Sequence, residues 1–149
     1  MCRYEAEFRI WRAKLAAGFS LLCYGWGSKR GLLELFDKRL TRQGHLTLQC
    51  YGYRKALTVD VLIRRAAGDL LRLPAEEIEG MPLGDILTAV HQPEVALGRV
   101  LYIVLHNVDG PGMRSREQQE LLADFVSSPH VRLIASCDHA LTPELWDRQ

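Results

Sequence analysis

The run Gly25-Trp26-Gly27-Ser28-Lys29-Arg30-Gly31 combines glycines, a hydroxyl and two cations in a tight segment. It follows an apolar stretch and precedes a helical pattern, which is the layout of a phosphate-binding loop. A working loop reads G-x-x-x-x-G-K-[ST]: backbone amides cradle the phosphates, the lysine neutralises them and the hydroxyl holds magnesium. Here the outer glycines stand too close together, and Arg30 occupies the place of the hydroxyl. Arginine cannot ligate magnesium. The free amides of the next helix, with Lys29 and Arg30, leave weak anion binding open, although positive charge at a helix start is mildly unfavourable. The plainer reading is a tight turn that packs Trp26. The dinucleotide fingerprint G-x-G-x-x-G fails as well, because Arg30 stands at its third glycine.

A second position tests the same chemistry. Nucleotide hydrolysis needs an acidic pair just past the third strand, to hold magnesium and polarise the attacking water. This chain delivers His106 and Asn107, and neither is a carboxylate. Asp109 comes two to three residues late, in a D-G-P turn where aspartate commonly bonds its own backbone. Two separate parts of the machinery are missing, so no catalytic residue and no cofactor are expected. His106 and His139, with Asp109 and Asp138, offer ligand-type side chains. Their spacing fits no metal pattern; hydrogen bonds fixing two turns are the simpler expectation, and no metal is expected. Cys137 beside Asp138 and His139 lacks anything to orient an oxyanion. Tyr51, Tyr53, Arg54 and Lys55 place two aromatics and two cations at a strand exit. They are candidates for a partner interface or for DNA proximity, with a subunit interface favoured because aromatics and arginine dominate interface anchors. The smaller basic clusters, Arg12 with Lys14, Arg64-Arg65 and Arg114 to Arg116, read first as solvated faces, with contact of one of them to a DNA backbone as the alternative, although no helix has the pattern of a recognition helix.

These residues must be positioned by regular elements. Tyr4, Phe8, Trp11 and Leu15 recur at helical spacing, and Gly18 ends that helix. Phe19 to Tyr24 is a short apolar strand. Ser28 is placed to cap a helix whose buried face is Leu32, Leu33, Phe36 and Leu40. After Gly44, Leu46, Leu48 and Cys50 alternate along a second strand. Thr58 caps a helix running to about Gly68, with Asp60 in its first turn. Residues 68 to 82 hold three Glu, two Pro and two Gly and read as a loop or insertion. Leu83, Ile86, Leu87 and Val90 form one short helix, and Pro93 to Gly98 a second loop. Val100 to Leu105 is apolar without a break, as in a strand buried on both faces. Ser115 and Gln118 form a capping box for a helix with Leu121, Leu122, Phe125 and Val126 inside. Val131 to Ser136 is the last strand, and Thr142-Pro143 opens a final helix. Strands separated by helices imply a parallel sheet covered on both faces, a three-layer α/β fold with ligand sites beyond the carboxyl ends of the strands.

The totals agree. The chain has 149 residues, the size of one domain, with 48% hydrophobic and 25% charged residues. A net charge of +1 supplies no bulk field toward nucleic acid or acidic lipid, so any such contact must be local. The four cysteines (Cys2, Cys23, Cys50 and Cys137) form no CxxC pair and read as free thiols in a reducing compartment. The N-terminus has no signal-peptide pattern and no run of 18 apolar residues occurs, so no membrane association is expected.

"GFSLLCYGWGSKRGLLELF", "CYGYRKALTV", "LYIVLHNVDGPGMRS" and "VRLIASCDHALTPELWD" resemble the origin recognition complex subunit 2 family over nearly the whole chain, most weakly from Asp69 to Leu97. The resemblance implies a P-loop/AAA+-type domain spanning 1–149 whose nucleotide site has decayed. It makes Gly25, Gly27, Ser28, Lys29 and Arg30 the altered phosphate loop. His106, Asn107 and Asp109 become the altered acidic motif, and Ser136, Asp138 and His139 the region after the fourth strand. It further implies a non-catalytic, nuclear subunit of an assembly that encircles origin DNA and supports replicative helicase loading. The implied partners are the other origin complex subunits, origin DNA and helicase-loading factors. The chain departs from the family in stopping after Trp146, without the lid, a fifth strand or the winged-helix domain. The alternative is an atypical P-loop protein that binds ATP weakly.

Overall fold

The computed structural model describes residues 5–18, 20–23, 30–52, 54, 56–92, 100–108 and 110–136. Element order is α1 (Glu5–Ala16), β1 (Leu21–Cys23), α2 (Arg30–Arg42), β2 (Leu46–Tyr51), α3 (Val59–Leu71), α4 (Ala75–Glu79), α5 (Leu83–Val90), β3 (Leu101–His106), α6 (Arg116–Val126) and β4 (Val131–Ser136). The four strands make one parallel sheet in the order β1-β4-β3-β2. Helices cover both of its faces, as expected of a three-layer α/β fold.

Alternation along the strands builds two cores. Leu101, Ile103 and Leu105 of β3, with Val131, Leu133 and Ala135 of β4, join α3 to α6 on one face. Tyr102, Val104 and Ile134 point the other way, onto Phe8 and Leu15 of α1 and Leu33, Phe36 and Leu40 of α2. Every residue of β3 is buried, which accounts for its unbroken apolar run. On β2, Leu46 and Leu48 pack on the α3 side with buried Cys50. Its other face carries Thr47, Gln49 and Tyr51 toward α2, where Thr47 Oγ1 lies 3.1 Å from Thr41 Oγ1. Gly18 ends α1 and Gly44 ends α2, both at positive φ (99° and 87°), where glycine carries no Cβ penalty.

Thr58 caps α3 by accepting from Val61 N–H at 3.3 Å. Ser115 caps α6 by accepting from Gln118 N–H at 3.2 Å. The second half of the expected capping box does not form. Gln118 Oε1 accepts instead from Val59 N–H at 2.8 Å, satisfying the first turn of α3 and tying the starts of two neighbouring helices together.

The segment 68–82 corrects the expectation of a loop. Helix α3 continues through Gly68 to Leu71 and ends at Arg72 in the left-handed region (φ 58°), and α4 follows. Pro74 and Pro82 stand immediately before α4 and α5, where a missing N–H costs nothing, so the prolines open helices rather than break structure. Arg64 holds the segment against α3: Nη1 donates to Ile78 O at 2.8 Å and Met81 O at 2.9 Å, while Nε pairs with Asp60 at 2.7 Å. Ile78 is buried beneath it. Pro93 to Gly98, Tyr4, Phe19, Tyr24, Cys2, Cys137 and the expected helix after Thr142 lie outside the described residues.

Candidate functional site at the carboxyl rim of the sheet

Because all four strands run parallel, Cys23, Ser136, His106 and Tyr51 end on one rim. Gly25, Gly27, Ser28 and Lys29 lie outside the described residues, as do Tyr53, Lys55, Asp109, Asp138 and His139; Arg30 is the first residue of α2. The described part of the rim is the exit of β2 and β3.

His106 closes β3 on the α2 side of the sheet and is 1% exposed. Its Nε2 donates to Gln49 Oε1 at 2.8 Å, since an amide oxygen can only accept. The register sets Tyr51 directly beside it, and the two rings stack with centroids 4.6 Å apart and planes 6° from parallel. Tyr51 Oη donates to Glu34 Oε2 of α2 at 3.0 Å. The guanidinium of exposed Arg54 lies 5.6 Å from the Tyr51 ring centroid. His106 is thus folded into a stack that ties β3, β2 and α2 together.

The backbone beyond the stack is locked as well. Gly52 N–H donates to His106 O at 2.6 Å. Asn107 turns the chain at φ 60°, a conformation asparagine tolerates better than most residues. Its N–H donates to Ser136 Oγ at 3.1 Å, Val108 N–H to Ser136 O at 2.7 Å, and Gly110 N–H to Asn107 O at 2.9 Å. A Cβ on Gly52 would overlap Asn107 O and stand 2.9 Å from His106 O; one on Gly110 would overlap Gly52 O. Glycine is required at both places because one exit turn crosses the other at backbone contact. From α6, buried Gln119 donates through Nε2 to Val108 O at 3.0 Å and Met113 O at 2.8 Å, fixing the turn from below.

Chemically, this arrangement offers an imidazole and an amide where a hydrolytic site needs two carboxylates. Neither supplies the negative charge that holds magnesium. Gln49, Glu34, Gly52 and Gln119 were not singled out as site residues from sequence. The available signal was the alternation of Gln49 and Tyr51 with Leu48 and Cys50, which puts a polar row on the α2 face. A described partner of the imidazole is Gln49, on the neighbouring strand; Asp109 and Asp138 lie outside the described residues. Burial pushes the Cys50 thiol up, with Arg65 opposing and Asp69 adding, so it stays protonated and unreactive. Beside the rim, a cavity of about 300 Å³ is lined by Gln49, Tyr51, Arg54, Leu57, Val61 and Arg65.

The family model for the origin recognition complex subunit 2 RecA-like domain matches residues 1–149. The chain is 31% identical over 151 residues to origin recognition complex subunit 2 of Drosophila melanogaster, covering 99% of this chain and 24% of that one. It is 29% identical over 160 residues to origin of replication complex subunit 2 of Oryza sativa subsp. indica, covering 98% and 42%. It therefore spans about two fifths or less of these relatives' length. In the structure of Drosophila ORC bound to DNA, one chain matches with a TM-score of 0.80 and 28% identity, over 97% of this chain and 81% of that one.

Proposed function

Since this chain belongs to the origin recognition complex subunit 2 RecA-like domain family, we propose that it is a non-catalytic subunit of the origin recognition complex. In this reading residues 1–149 are one degenerate AAA+-like domain. It acts structurally in a nuclear assembly that encircles origin DNA and supports loading of the replicative helicase. The observation that carries the reading is the exit of β3. His106 stands in the acidic-motif position, and its ring is hydrogen-bonded to Gln49 and stacked under Tyr51. The histidine has a structural task there, and nucleotide turnover falls to other subunits.

In this reading the phosphate-loop positions Gly25, Gly27, Ser28, Lys29 and Arg30 and the acidic-motif positions His106, Asn107 and Asp109 carry out no nucleotide chemistry. Tyr51 and Arg54, with Tyr53 and Lys55, are the contact residues of a neighbouring subunit or of DNA. The cavity lined by Tyr51, Arg54 and Arg65 supports this, since it offers arginine and an aromatic edge to a partner. The matched structures include Drosophila ORC bound to DNA, in two cases together with Cdc6. The partners proposed for this chain are accordingly other origin complex subunits, origin DNA and a helicase-loading factor of that kind.

The test is affinity purification of the tagged chain from its own cells, with mass spectrometry of what co-purifies. Recovery of other origin complex subunits is the expected result. Their absence from a folded, expressed sample would overturn the assignment and make nucleotide binding by the chain itself the next question.

A further inference from the structure

At the opposite end of the sheet from the rim, α1 and α2 carry an unusual group of arginines. Arg9, Arg12 and Arg39 line a pocket of about 340 Å³ together with Phe8 and Gln43. It lies beside the start of β2, five residues of extended chain from Tyr51, or roughly 17 Å. Arg12 is held by two neutral acceptors: Nη1 donates to Gln43 Oε1 at 2.9 Å and Nη2 to His45 Nε2 at 2.9 Å. Desolvation, and then the charge of Arg12, push the His45 imidazole down, so it stays neutral and accepts. Nothing in that arrangement cancels the charge on Arg12. Arg12 Nε has no hydrogen-bond partner among the described residues. Neither Arg9 nor Arg12 has a carboxylate partner among the described residues. Arg39 lies over the Phe8 ring, 5.8 Å from its centroid, which fixes its stem. Arg42 follows Arg39 at i+3, as Arg12 follows Arg9, so each helix presents two guanidinia along one side.

We propose that this α1/α2 pocket binds phosphate groups of a nucleic-acid backbone. Guanidinium is a planar, permanently charged fork that matches phosphate oxygens, and arginine is favoured wherever such oxygens are recognised. Arg9, Arg12 and Arg39 converge on one pocket from two adjacent helices, which suits phosphate oxygens along a strand. A chain of net charge +1 gains this local field only by gathering arginines in one place. The choice of nucleic acid over another polyanion rests on the reading of the previous section; the arginine pocket does not.

The test compares the intact chain with Arg9→Gln/Arg12→Gln in binding a fluorescent duplex of about 25 base pairs across a salt series. Each lost phosphate contact lowers the slope of log K against log salt by about 0.9. The double variant should therefore lose about 1.8 from the slope, on the order of a 60-fold weakening at 0.1 M salt when extrapolated from 1 M. Arg9→Lys/Arg12→Lys keeps both charges and should keep most of the slope, which separates charge from fold. An unchanged slope and affinity in the Gln variant, or no duplex binding by the intact chain, would overturn the proposal. So would a phosphopeptide that binds the pocket where the duplex does not. A chain that co-purifies with the origin complex but fails this test would sink the pocket and leave the assembly role standing.

Discussion

Gly52→Ala puts the description of the rim under the greatest strain. The added Cβ would overlap Asn107 O and lie 2.9 Å from His106 O. Both are backbone atoms, so no side chain can swing away to make room. Relief requires the exits of β2 and β3 to part, which breaks the Gly52 N–H to His106 O bond of 2.6 Å. A buried backbone hydrogen bond left unmade costs roughly 1–3 kcal/mol, and overpacking typically another 1–3 kcal/mol. These terms are not independent, so the expected loss is about 3 kcal/mol. For a chain of this length that corresponds to a fall in Tm of roughly 6–12 °C. Urea unfolding of the intact chain, followed by far-UV circular dichroism, reads it directly. Gly84→Ala is the control: its Cβ would meet nothing within 4 Å inside α5, and it should be neutral or slightly stabilising. If Gly52→Ala moved the midpoint no more than Gly84→Ala does, the exits of β2 and β3 would not be packed in backbone contact.

Two further perturbations probe the supports on either side. Arg64→Ala removes the donor to Ile78 O and Met81 O and should cost roughly 1–3 kcal/mol, with new proteolytic cleavage between α3 and α5; resistance equal to wild type would show that the helix after Pro74 holds without it. At Asp37, burial raises the carboxyl above its ordinary value, the hydrogen bond from Thr47 opposes this and the charge of Glu34 adds to it. A raised folded value means that the folded chain holds the proton more tightly than the unfolded one, so this group weakens the fold as pH climbs through that value. Asp37→Asn should therefore stabilise at pH 7, by roughly a few tenths of a kcal/mol because the group is part-exposed, with the gain gone below about pH 4. Denaturation midpoints at pH 4 and pH 7 check the sign, and a less stable variant at pH 7 would show that the Thr47 bond outweighs burial.

Much of this was readable in the chain because it is encoded locally. The faces of α2 and α6 follow from Leu33, Phe36 and Leu40, and from Leu122 and Phe125, at helical spacing. The strand Leu101–His106 follows from its apolar run, and the caps Thr58 and Ser115 from hydroxyls ahead of apolar periods. That neither His106 nor Asn107 is a carboxylate is plain in the sequence. What escaped depends on partners distant in sequence. Insertion of β4 between β1 and β3 has no local signature. Gln118 departs from the capping box because α3 presents an open amide, Val59 N–H, within reach. Pro74 reads as a breaker because composition does not reveal the short helix α4 that follows it. The burial of His106 under Tyr51 needed the β2–β3 register, and the need for Gly52 and Gly110 appears only once the two exit turns cross.

Nucleotide binding by the intact chain tests the central claim most directly. Isothermal titration with ATP and magnesium, run beside Lys29→Ala and coupled to a phosphate-release assay, should give no saturable magnesium-dependent heat and no turnover for either protein. Tight magnesium-dependent binding that disappears in Lys29→Ala would contradict the account, and would mean that the glycine loop still does the chemistry its layout belongs to.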